Sequence, residues 1–194
     1  MLRNLLLSCI TLLCLAFLFI PGFTQDKPAQ TTSASSEVVK RGEYLATLGQ
    51  CHDCHTPKKM GPKGPEPDMT LALSGHRANS KLPEVPAGAI GPDKWGVIGN
   101  NDFTAWAGPW GVSFAMNLTP DEETGMGSWN EAMFIKAMRT GKHLGEGRDI
   151  LPPMPWPNTG QATDADLKAM FAYFRSVKPI KNAVPDPIPP VASK

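Results

Sequence analysis

The chain opens with a charged residue and a long apolar run. Arg3 precedes Leu5 to Ile20, Pro21-Gly22 breaks the run, and polar residues follow from Thr24 through Ser36. This order of charged start, apolar stretch and small-residue exit predicts a secretory signal peptide over residues 1–24, with an uncleaved N-terminal anchor as the other reading. Residues 25–36 are rich in Ser, Thr and Gln and predict a flexible linker. Beyond it, apolar positions recur at helical spacing in three places, which predicts a mainly α domain over residues 37–194. The first helix spans about Glu37 to Leu48, with Val38, Val39, Gly42, Leu45 and Ala46 in phase. Gly42 costs about 1 kcal/mol against Ala within a helix, so a close helix neighbour is expected there. The second spans about Trp129 to Arg139, with Ser128 and Glu131 read as a capping box and Gly141 as its stop. Its apolar residues fall on two sides, Trp129/Met133/Ala137 and Phe134/Ile135/Met138, which predicts burial on both. The third is capped by Thr163 and carries Asp164 and Asp166 in its first turn and Arg175 and Lys178 in its last, matching the helix dipole. Leu167, Met170, Phe171, Phe174 and Val177 form its apolar stripe, and Pro179 ends it. No stretch alternates convincingly enough to predict a strand.

Composition adds a long loop. Of 18 Gly and 20 Pro, many fall between Thr56 and Gly127, where regular helix is not expected. Lys plus Arg number 19 and Asp plus Glu 18, so the basic patch that nucleic-acid binding calls for is not expected. The chain has four cysteines, Cys9, Cys14, Cys51 and Cys54. The first two lie in the leader, and a processed chain keeps one pair.

That pair carries the chemistry. Cys51-His52-Asp53-Cys54-His55 is the C-x-x-C-H pattern of covalent haem attachment. Two thiols spaced this way can add to the two vinyl groups of a haem, and the adjacent His55 then falls under the ring, within reach of the iron. One covalent haem c per chain is the expectation. A zinc site needs four N or S ligands, and no second Cys pair completes one around His52, His55 and His76. A redox dithiol needs a βαβ context that is not visible. Export agrees with haem, since attachment of this type occurs on the outer side of the bacterial inner membrane.

For the second axial position Met154 is the first choice. It lies in Leu151-Pro152-Pro153-Met154-Pro155-Trp156, where flanking prolines stiffen the backbone and can present a thioether at fixed depth. Methionine is also the usual gap filler of cores, so Met60, Met69, Met116 and Met126 remain open alternatives, followed by His76 and His143, which read as surface histidines. Trp95, Trp106 and Trp110 are read as anchors of the long loop. Trp129 and Trp156 flank the expected pocket, and either can pack in the core or donate its N–H to a propionate. Lys58, Lys59 and Lys63 read either as a solvated loop or as a basic rim for an acidic redox partner.

The order of helix, C-x-x-C-H, Met loop and amphipathic C-terminal helix resembles a class I c-type cytochrome. Arg41-Gly42-Glu43-Tyr44-Leu45-Ala46, Asn117-Leu118-Thr119-Pro120-Asp121, Thr124-Gly125-Met126-Gly127-Ser128-Trp129 and Pro153-Met154-Pro155 resemble, more closely, the cytochrome c domains of quinoprotein alcohol dehydrogenase cytochrome subunits. The resemblance implies a cytochrome c-like helical fold around one covalent haem, with residues 56–115 as a long Gly/Pro-rich insertion. It implies His55 and Met154 as axial ligands and Gly42 packed against the C-terminal helix near Tyr173. It also implies one-electron transfer between redox partner proteins (a dehydrogenase, an oxidase or a membrane complex), not catalysis. Those subunits carry three haem motifs and this chain has one, so no relay within the chain is expected. Two other functions stay open: a haem enzyme or ligand sensor with an open sixth position, against which no distal His/Arg pair is apparent, and a non-catalytic electron-transfer subunit of a dehydrogenase or oxidase complex.

Overall fold

The computed structural model describes residues 30–190. The expected leader, residues 1–24, and residues 25–29 of the expected linker lie outside them. Five α-helices and five short strands follow in order: α1 Gln30–Leu48, α2 Cys51–His55, β1 Lys58–Gly61, β2 Gly64–Pro67, β3 Ile98–Gly99, β4 Ala105–Gly108, β5 Gly111–Phe114, α3 Glu131–Thr140, α4 Trp156–Thr159 and α5 Asp164–Ser176. α1 therefore begins seven residues before the Glu37 that the apolar pattern picks out.

α1 crosses α5 at Gly42, as the resemblance implied. A Cβ on Gly42 would sit 1.9 Å from the Ala169 carbonyl oxygen and 2.8 Å from Tyr173 Cβ. Only a residue without a side chain permits this approach. Arg41 Nε pairs with Asp166 Oδ1 at 3.0 Å beside the crossing. Thr163 caps α5 by accepting from the Asp166 amide, and Leu167, Met170, Phe171 and Phe174 are buried from its stripe. The core gathers them with Ala46, Leu73, Leu118, Met126, Trp129, Phe134, Ala137 and Met138.

The expected cap of α3 changes. α3 is capped by Asn130, whose side chain accepts from the Met133 amide; Ser128 lies outside the helix. Asn is as good an N-cap as Ser, and the one nearer the first turn prevails. Trp129 and Ala137 from one expected apolar side and Phe134 and Met138 from the other are buried, and Ile135 packs against the core, while Met133 is exposed.

The region from 56 to 115 contains strands where none was expected. β1 and β2 form an antiparallel hairpin, and β3, β4 and β5 a three-stranded antiparallel sheet in sequence order. These strands are two to four residues long and rich in Gly, Pro and Ala, too short and too plain for alternation to register. After α5 the chain runs on as an extended strap. Ile188 pairs with Val112 of β5, with Val112 N–H donating to the Ile188 carbonyl at 2.8 Å and Ile188 N–H to the Val112 carbonyl at 2.9 Å. Among the described residues no helix is long and apolar enough to cross a membrane.

Candidate haem site

α2 consists of the five motif residues alone. Gln50, at φ 55°, turns the chain sharply between α1 and α2. His52 then fastens α2 to its surroundings, with Nδ1 2.9 Å from Thr56 Oγ1 and Nε2 3.1 Å from the Tyr173 hydroxyl of α5. Thr56, fully buried, also accepts the Leu73 amide at 3.0 Å. Lys58 donates to the carbonyls of Asp53 at 2.7 Å and Thr56 at 2.8 Å, closing the negative end of the helix. Lys58 is thus bound into α2 and is not a free rim charge. Lys59 lies opposite Glu66 at 3.8 Å, and Lys63 is exposed.

His55 is buried, and its Nδ1 donates to the Met116 carbonyl at 2.8 Å. Burial pushes its pKa down to about 4; the bond to Met116 opposes this, and nearby His52 adds to it. The imidazole is therefore neutral at physiological pH, with its proton on Nδ1 and the Nε2 lone pair unused. Burial, followed by the neighbouring Cys54, pushes the Cys51 thiol up to about 11, and burial also raises Cys54. Both cysteines are free.

Cys51, Cys54 and His55 line a cavity of about 300 Å³. Its other walls are mostly apolar, from Trp106 and Phe114 of the sheet to Phe134 and Met138 of α3 and Met170 and Phe174 of α5. The Met154 loop lines it too. This loop is seated at three points. Ile150 N–H donates to the Gly141 carbonyl at 2.8 Å. Ser113 Oγ of β5 donates to the Pro152 carbonyl at 2.5 Å. Gly141, at φ +68°, lies so close to the Trp156 ring that a Cβ would meet it at 2.4 Å. Two free thiols, a neutral imidazole with an open Nε2 and a thioether around an apolar cavity fit the donor set of a covalent haem.

Other expected residues fall differently. Met60 and Met69 are 79% and 61% exposed and away from the cavity, whereas Met116 and Met126 line it with Met154. His76 is not at the surface: it is buried, bonded to Thr104 Oγ1 at 2.9 Å, because the Gly-rich turn around it folds beneath the sheet. His143 is half-buried and lines the cavity, its ring 5.2 Å from that of Trp129. Arg148 lines it as well, so a His/Arg pair that is not apparent in the sequence meets at this cavity. Trp129 is a lining residue; Trp156 packs behind it on Gly141. Of the three loop tryptophans, Trp106 is buried at the cavity, Trp110 donates to Ser113 Oγ at 3.2 Å, and Trp95 is 71% exposed and tied to its loop through its backbone, its N–H donating to the Ala89 carbonyl at 3.1 Å. The residue that sequence reasoning missed is Met116 as a carbonyl acceptor, a backbone role with no side-chain signal. Among the described residues no group of three His, Cys, Asp or Glu could hold a bare metal ion.

Several known proteins are similar to this chain in sequence. The chain is 30% identical over 161 residues to the cytochrome c subunit of the quinone-type alcohol dehydrogenase of Gluconobacter oxydans, covering 81% of this chain and 26% of that protein. The cytochrome c subunit of the gluconate 2-dehydrogenase of Pantoea cypripedii is 31% identical over 154 residues, covering 79% and 26%. One of the nicotinate dehydrogenase subunits of Pseudomonas putida is 30% identical over 158 residues, covering 81% and 10%. The chain is a homologue of dehydrogenase cytochrome c subunits. It spans about a quarter or less of the length of these relatives, and no family model matches it.

Proposed function

We propose that this homologue of dehydrogenase cytochrome c subunits is an exported monohaem cytochrome c that passes single electrons between redox partner proteins, one of them a dehydrogenase. Residues 1–24 are its leader or anchor, 25–36 a linker whose residues from Gln30 onward run into α1, and 37–194 a cytochrome c-like, mainly α domain. Cys51 and Cys54 hold the haem covalently, and His55 and Met154 are its axial ligands. The observation that carries this reading is that all four residues line one apolar cavity, with His55 already held in the tautomer that leaves Nε2 free.

The haem supplies a one-electron ferric/ferrous couple, and Met/His ligation raises its potential relative to stronger donors. The chain's own residues do the rest. His55 is fixed at Nδ1, which orients the ring and raises its basicity. The prolines around Met154 and the Ser113–Pro152 bond hold the thioether loop against the cavity. Phe134, Met138, Met170 and Phe174 exclude water, which favours the less charged reduced state. Arg148 supplies a positive group for the haem carboxylates and His143, whose pKa burial lowers, a neutral ring N–H; among the described residues the Arg148 side chain has no carboxylate within salt-bridge distance and a 3.3 Å bond to the neighbouring Asp149 carbonyl. Filling both axial positions leaves no site for a substrate on the metal.

The protein expressed with a haem-maturation system should carry one haem that survives denaturation, measured as added mass. An unmodified mass, or haem extracted by acid–butanone, excludes covalent attachment.

A further inference from the structure

The residue that follows the carbonyl bonded to His55 is held by the C-terminal strap. Met116 precedes Asn117, which is buried at 1% exposure. Asn117 Nδ2 donates to the Ile180 carbonyl of the strap at 2.7 Å. Its Oδ1 accepts from the Thr119 amide at 3.0 Å and from Thr119 Oγ1 at 2.7 Å. The strap answers from the other side, as Ile180 N–H donates to Thr119 Oγ1 at 3.1 Å and Asn182 N–H to Thr124 Oγ1 at 2.9 Å. Asn182 Nδ2 then donates to the Ser74 and His76 carbonyls at 2.7 and 2.8 Å, and Asn182 Oδ1 accepts the Ala78 amide at 3.0 Å. Gly75 lies between these anchors at φ +77°. A Cβ there would stand 2.6 Å from the Met116 carbonyl oxygen, so the two backbones meet only because residue 75 has no side chain. The Gly75 amide also donates to the His55 carbonyl at 2.8 Å.

The strap bonds to Asn117, the backbone joins Asn117 to the Met116 carbonyl, and that carbonyl accepts from His55 Nδ1. We infer that Asn117 and the strap residues Ile180 and Asn182 are positioning residues for the axial imidazole, acting through the Met116 carbonyl. This rests on the reading of His55 as an iron ligand and deepens it, because a carbonyl fixed in place makes a bound imidazole a stronger donor and favours the ferric state. It also explains the polar atoms of the Asn117-Leu118-Thr119 stretch, which do not reach the cavity but clamp the strap.

The test uses the full-length haem-bearing protein and follows the His55 Nδ1 proton in the ferrous state by NMR. Asn117→Ala removes the clamp without touching any ligand. Exchange of that proton with deuterium should become roughly tenfold faster, the effect of weakening one or two buried hydrogen bonds, and the reduction potential should rise. Exchange of the α5 backbone amides should change far less, which separates a local effect from general loosening. Asn182→Ala lies farther from Met116 and should give the same signs with smaller size, and it stands in where Asn117→Ala does not fold. If both variants bind haem and leave the Nδ1 exchange and the potential at wild-type values, the positioning role is wrong while the haem reading stands. If the wild type carries no haem ligated by His55, both fall together.

Discussion

His55 carries more of the chemistry than any other residue, and its environment is unusual for a histidine. Burial drives its pKa to about 4, against an ordinary value of 6.5. The folded protein therefore prefers neutral His55 more strongly than the unfolded chain does. Its stabilising contribution is fully present above about pH 6.5 and is lost as pH falls through about 4; in the proposed cytochrome, iron at Nε2 would oppose protonation further. The low-spin ferric spectrum should therefore be unchanged from neutrality through pH 6.5 and convert to a high-spin form only near pH 4 or below, in a spectrophotometric acid titration. Conversion centred near pH 6.5 would mean that this imidazole is exposed and unligated. The motif residues were legible from spacing alone. The carbonyl of Met116 was not, because any residue supplies a carbonyl and only the fold decides which one arrives. His76 and Arg148 were misjudged or unremarked for a related reason: in Gly-rich segments local pattern does not distinguish surface from interior.

At the scale of elements, the two longest helices, α1 and α5, were both legible in the sequence and pack on each other, and α5 lines the site with Met170 and Phe174. Their crossing rests on Gly42, whose missing side chain admits the Ala169 carbonyl. Gly42→Val should destabilise the protein by about 1–3 kcal/mol, the usual cost of overpacking, measured by denaturant unfolding; an unchanged midpoint would show that the helices separate freely. The short strands escaped the sequence because two to four residues give alternation no room to show. Their contribution is nonetheless specific, since β5 reaches the Met154 loop through Ser113 and the Pro152 carbonyl. Ser113→Ala should cost about 1 kcal/mol of loop anchoring and speed carbon monoxide binding to ferrous protein in stopped-flow mixing. Wild-type binding rates would show that the loop holds itself.

The molecule as a whole reads as helices that frame a cavity and a Gly/Pro-rich region that closes it. The order of helix, motif, Met loop and final helix was visible in the chain, because each piece is local. What closes the cavity was not, since Trp106, Ser113 and the strap reach it through long-range pairings. The homologues are several times longer than this chain. The central claim is that one haem sits between His55 and Met154. Its most direct test is the rapid mixing of carbon monoxide with ferrous wild type and Met154→Ala, each recorded by visible spectrum. Wild type should resist carbon monoxide and show, when ferric, the weak red-end band of a bound thioether; Met154→Ala should lose the band and bind carbon monoxide rapidly. Wild type that binds carbon monoxide at once, or Met154→Ala that keeps the wild-type spectrum, would contradict the claim.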